Sequence, residues 1–209
     1  MKRPIIISCL LLCCLAVCAQ SFEGKIIYQK TYKSRTPGTT DKQYNTMLGN
    51  MENYYIKGAN YRYDTNGNFL LWQIYISKDK KIYSKIAHSS TILWDDVTVN
   101  TDKITSIVLH KGVTTILGYL CDELTIHFEA NYQKYYFNAK LGIDSKLYAN
   151  HLYGDWYTYL SKANAVPLKI ISRSDKYFFE SIATEIKPMK LADSFFTLPQ
   201  GAKTEKSMY

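Results

Sequence analysis

Cysteine is scarce where it would matter. Of five cysteines, Cys9, Cys13, Cys14 and Cys18 stand in the first eighteen residues, and only Cys121 lies beyond them. One thiol cannot close an intramolecular bridge, so a disulfide framework is excluded for the body of the chain. No CxxC or HExxH occurs, and His88, His110, His127 and His151 keep no ligand spacing, which excludes the common zinc patterns. GxSxG, the P-loop and GxGxxG are also missing, so no nucleotide or hydrolase motif stands in the chain and no cofactor is expected. Long apolar runs are lacking too. Ile5 to Val17 is the longest, short of the roughly 20 residues a spanning helix needs. The +8 formal charge is spread rather than blocked, which speaks for a solvated surface and against nucleic acid as partner.

What is present begins with an export signal. Met1-Lys2-Arg3 is a basic start, the run to Val17 is a short apolar centre, and Val17-Cys18-Ala19 fits a cleavage site. The cut is expected after Ala19. Cys18 offers an alternative, acylation as a lipoprotein, for which Val17 is a poor preceding residue. Cleavage leaves 190 residues and a charge of +6, enough chain for one well-buried domain, residues 20–209. The location expected is periplasmic or secreted.

Nineteen tyrosines and many β-branched residues alternate with polar ones at period two. In "FEGKIIYQKTYK" Phe22, Ile26, Tyr28 and Tyr32 share a face. "NYYIKGANYRYDT" reads as a hairpin turning at Lys57 to Asn60, and Asn66-Gly67-Asn68 marks another turn. "FLLWQIYIS" and "KIYSKIA" pair across Lys78-Asp79-Lys80. In the former, Leu70, Trp72, Ile74 and Ile76 line one face, but the other face is also largely apolar, so both are covered. "STILWDDVT" and "KITSIVLH" continue the pattern. "TTILGYLCDELTIHF" reads as a strand centred on Cys121, with "NYQKYYFNAK" its partner. Residues 43–52 fit a short helix or a loop. From Ser145 to Ser161 the period changes to three or four, with Tyr148, Leu152, Trp156 and Tyr159 on one side and Asp144 or Ser145 as cap. One main helix is expected there, weakened at Gly154. "VPLKIISRS" and "YFFESIATEI" return to strands, and the tail to Tyr209 reads as loose. The fold class is therefore α+β, a curved antiparallel sheet of about ten strands covered by one main helix.

Chemistry is harder to find. Cys121 and His127 share a strand face but lie about 20 Å apart along it, too far for a direct dyad. Asp95-Asp96 and Asp122-Glu123 are neighbours in strands, so their carboxylates point opposite ways, and Asp95-Asp96 suits a turn. Aromatics are left. Most serve the core, since tyrosine is a good strand residue with a polar tip. A ligand groove is the functional reading, bounded by Trp72, Ile74 and Ile76 from the sheet and Leu152 and Trp156 from the helix.

The order of "FEGKIIYQKTY", "TTILGYLCDELTIHF", "VPLKI" and "DSFFTLPQGA" resembles an exported bacterial family of unknown function with an Ile-Leu-Gly-Tyr-x-Cys motif. That family is similar to the GLPGLI family and, more distantly, to the LolA-like lipoprotein-carrier half-barrel. Ile116-Leu117-Gly118-Tyr119-Leu120-Cys121 carries the resemblance, while "NAVPLKI" stands where a Gly-Leu-Pro-Gly-Leu segment would be. The resemblance implies a half-barrel whose cavity between sheet and helix holds acyl chains, and a structural role for Gly118 and Cys121. It leads to one expectation: a non-enzymatic envelope binding protein for a lipid or other hydrophobic ligand, with an outer-membrane or envelope protein as a further candidate partner. The alternatives are an interaction module binding glycan or protein through exposed aromatics, and an enzyme, which would need convergent polar side chains in the cavity.

Overall fold

The computed structural model describes residues 21–208. The segment expected to direct export, the cut expected after Ala19, and Cys18 lie outside the described residues. Twelve strands make one open sheet: β1 (Gly24–Ser34), β2 (Met51–Lys57), β3 (Asn60–Thr65), β4 (Leu70–Ile76), β5 (Lys81–Ile86), β6 (Ile92–Asp96), β7 (Ile104–Ile116), β8 (Tyr119–Phe128), β9 (Tyr132–Gly142), β10 (Ala165–Arg173), β11 (Tyr177–Pro188) and β12 (Thr204–Lys206). Their order is β12-β6-β5-β4-β3-β2-β1-β11-β10-β9-β8-β7. Every pairing is antiparallel except β12 on β6. The tail expected to be loose thus supplies a strand, and the sheet has twelve strands rather than about ten.

Two meanders compose this sheet. β1 to β6 run one way, β7 to β11 return from the far edge, and β1 pairs with β11 at the junction. Topology alone makes the sheet curl. Ten strand-to-strand steps separate β6 from β7, about 48 Å of arc at about 4.8 Å each. The link from Asp96 to Ile104 spans about 28 Å at full extension. An arc so long meets so short a chord only by bending through at least half a circle. Val97, at the start of the link, is fully buried, and its carbonyl accepts from the backbone N–H of Leu152 (2.7 Å) and Tyr153 (3.1 Å).

The hollow of the curl is filled from the connection between β9 and β10. One long helix was expected there; the chain instead makes a 3₁₀ turn at Ser145–Tyr148, turns again, and starts α2 (Trp156–Ala163). Gly154 (φ 61°) and Asp155 (φ 59°) are both left-handed, which breaks a right-handed helix just before Trp156. Asp144 does cap the first turn, its side chain accepting from Lys146 N. Tyr148, Tyr159 and Leu160 still reach the core. A second helix, α1 (Asp41–Leu48), occupies the stretch that read as helix or loop, and Thr40 and Gln43 close its start as a capping box.

The stretch that read as one strand around Cys121 is a hairpin. Ile116 pairs with Tyr119, and Leu117 (φ 49°) and Gly118 (φ 79°) form the two-residue turn between β7 and β8. Two positive φ values suit the right-handed twist of the flanking strands. Cys121 is fully buried beyond the turn.

Candidate functional site

Alternation on β1 sends Ile26, Tyr28, Lys30 and Tyr32 to the buried, concave face. A lysine in that row has to find a partner, because an unpaired buried charge is very costly. It finds Glu52 on β2, with Nζ 2.8 Å from Oε2. Lys30 also lies near the rings of Tyr32 (5.9 Å), Tyr63 (5.7 Å) and Phe179 (5.7 Å). Burial pulls the Lys30 pKa down, but the Glu52 charge and hydrogen bond, helped by Tyr32, outweigh it, and the net direction is up. The ammonium is held charged.

A pocket of about 380 Å³ opens over this pair on the concave face. Register explains its wall. Tyr32 stands opposite Phe179, and Lys30 opposite Ser181. Tyr54 on β2 faces Tyr63 on β3, which faces Gln73 on β4. Leu48 at the end of α1 and Trp156 at the start of α2 close two sides. Polar groups of the wall are largely tied. Tyr63 donates to Gln73, and Gln73 Nε2 donates to Ser84 Oγ at 2.7 Å. Tyr61 Oη pairs with His151 Nε2 at 2.9 Å. Two donors are not tied: Tyr54 Oη and Trp156 Nε1 are buried without a hydrogen-bond partner. Burial lifts the phenols of Tyr54, Tyr61 and Tyr63 well above their ordinary range, so they remain protonated. The site offers rings and a mutually neutralised ion pair, with two unpartnered donors covered inside its wall, which suits an apolar body.

Behind the pocket lie two more buried groups. His151 Nδ1 and Asp155 Oδ2 have no hydrogen-bond partner, while Asn100 Nδ2 donates to Asp155 Oδ1 at 2.8 Å. Burial pushes His151 down to about 4. Burial, aided by Asp102, pushes Asp155 up to about 6.

Of the residues expected to bound a groove, Trp156 alone lines this pocket. Trp72, Ile74 and Ile76 belong to a second apolar cluster with Tyr83, Ile92, Leu191 and Phe196. Tyr75, next to them, is in the main core with Tyr61 and Tyr148. Successive strand residues face opposite ways, so the two clusters lie on opposite faces of β4. Arg62 covers Trp72 on that outer face, 5.3 Å from its ring. Leu152 is 37 % exposed and contributes its backbone N–H to the Val97 link. The five residues are therefore not brought together. Lys30, Glu52, Tyr54 and Tyr63 were missed, although Lys30 stands in the same alternating row as Tyr28 and Tyr32.

Cys121 donates to Tyr119 O at 3.2 Å, and burial raises its thiol pKa, so the nucleophilic thiolate is disfavoured. Among the described residues no group of three or more His, Cys, Asp or Glu side chains is placed to hold a metal. No family model matches the chain, and no curated protein matches it.

Proposed function

We propose that the chain is a non-enzymatic binding protein of the cell envelope, holding a lipid or other hydrophobic ligand against the concave face of a LolA-like half-barrel. The observation that carries this is the pocket over Lys30 and Glu52: aromatic, open on one side, and walled by Tyr54 and Trp156, whose polar atoms are buried without partners. An unsatisfied buried donor costs about 1–3 kcal/mol; both atoms are covered as the wall stands, and a turn of the Tyr54 or Trp156 ring would let a ligand acceptor recover part of that cost. The Lys30–Glu52 pair is already neutral as a unit. A ligand anion would have to displace Glu52 and leave that carboxylate buried without its partner, so the site favours a head that is uncharged but accepts hydrogen bonds. The curl of the open antiparallel sheet supports the half-barrel that the resemblance implies.

Native mass spectrometry of protein purified from its own envelope, before and after solvent extraction, tests this. A stoichiometric adduct that extraction removes is expected. Tyr54→Phe should weaken retention of a probe with an ester or hydroxyl head more than that of a plain hydrocarbon. Protein that carries no adduct and takes up neither probe would overturn the reading. The same intact mass reports whether Cys18 is removed or acylated.

A further inference from the structure

The two edges of the sheet are treated differently. On one side β12 is three residues long and includes Glu205 and Lys206, a short charged edge of the kind that discourages pairing. On the other side β7 is thirteen residues long, and among the described strands it pairs only with β8. Nearly all of it is exposed. Ile107, Val108, Leu109 and Val113 are exposed apolar side chains on this strand, and Leu117 and Leu120 extend the patch around the turn. An unblunted apolar edge is a template for another strand.

We infer that β7 pairs antiparallel with β7 of a second copy, joining two sheets about a two-fold axis at Val108. The sequence of the edge is self-complementary about that point. In this register Val108 meets Val108, Ile107 meets Leu109, and Ser106 meets His110. Ile107 and Leu109 stand opposite Ile126 and Leu124, which are fully buried in the main core, so both belong to the concave face. Antiparallel partners share a face. The contact therefore sets Ile107 of each copy beside Leu109 of the other and continues the apolar lining without a break. A two-fold interface requires this matching of one patch with itself.

Charge does not oppose it. Ile104 to Leu109 contains no titratable side chain, and the lysines on either side are engaged, Lys103 with Glu129 and Lys111 with Asp122, both at 2.7 Å. Ladder irregularities between Ile104 and Ser106 and between His110 and Thr114, the latter with Gly112 at φ 60°, confine flat pairing to Ser106–His110, the five residues centred on Val108. A short ladder makes a dimer rather than a fibril, because each copy has one such edge and a two-fold contact closes on itself.

Sedimentation of the purified protein from about 1 to about 100 µM should show a monomer–dimer equilibrium, the range being that of a small, reversible interface. Val108→Lys puts two like charges on the axis and should leave only monomer, with an unchanged thermal midpoint to show that the fold is intact. Val108→Cys should give a disulfide-linked dimer, since residues directly opposite lie within bridging distance. Ser106→Cys, which opposes His110, should not. A chain monomeric throughout this range, or a dimer that Val108→Lys leaves intact, would overturn the inference, and so would Ser106→Cys crosslinking as readily as Val108→Cys.

Discussion

Lys30 shows what a single residue can cost and specify. Its side chain is 6 % exposed and that of Glu52 is 14 % exposed. Removing one partner of a buried pair leaves the other charge stranded, and such losses run to about 3–5 kcal/mol. Glu52→Leu should therefore lower the urea midpoint strongly. Lys30→Met combined with Glu52→Leu should recover much of that loss, because a pair of apolar side chains replaces the ion pair without leaving a charge. Urea titration of the three variants checks it. The pair was legible in outline: a lysine standing in an otherwise apolar row of β1 asks for a carboxylate. Which carboxylate answers depends on register between strands, and no local pattern states that.

His151 and Asp155 make a second argument at this scale. A base with a lowered pKa binds its proton less well in the folded state, so His151 removes stability as pH falls from about 6.5 to about 4. An acid with a raised pKa binds its proton better when folded, so Asp155 returns stability as pH falls from about 6 to about 3.8. The two oppose each other over nearly the same window. Asp155→Asn should expose the histidine alone, with a midpoint that drops on acidification. His151→Gln should show the reverse slope. Thermal melts between pH 4 and 7 separate them, and parallel curves for both variants would contradict the assignment.

At the scale of elements the alternating pattern located the strands well and their faces poorly. β4 is apolar on both sides, so its sequence could not say whether Trp72, Ile74 and Ile76 or Gln73 and Tyr75 turn to the hollow. Packing decides: the segment with Leu191 and Phe196 covers the first set, and Tyr148 and His151 meet Tyr75. The helix at Ser145–Ser161 failed for a local reason. Its spacing was right, but Gly154 and Asp155 take left-handed conformations that spacing does not reveal. The β7–β8 hairpin went unseen because Leu117, unlike Asn or Asp, gives no turn signal. A left-handed leucine costs about 1–2 kcal/mol. Leu117→Asn should accordingly raise the thermal midpoint, and Gly118→Ala should lower it; differential scanning calorimetry of both variants reads the sign.

For the whole molecule, the sheet order binds the first strand to one of the last. β1 lies in the middle, between β2 and β11, so neither meander is complete without the other. Unfolding should then be one event: the fluorescence of Trp72, Trp94 and Trp156 and the far-UV circular dichroism should trace the same urea curve. Refolding should take milliseconds to seconds, as for other sheets built on distant pairings. Separate transitions would mean that the meanders stand alone.

That central place of β1 also sets an order in time. A chain made from its N-terminus presents β1 and β2 early, yet the ladder on the other side of β1 waits for Tyr177–Pro188. Until those residues arrive, the row that includes Tyr28, Lys30 and Tyr32 is an open border, and Lys30 has Glu52 for company but no roof. Closure of the pocket thus waits on β11: the cavity comes into being only when that late strand pairs with β1 and walls it.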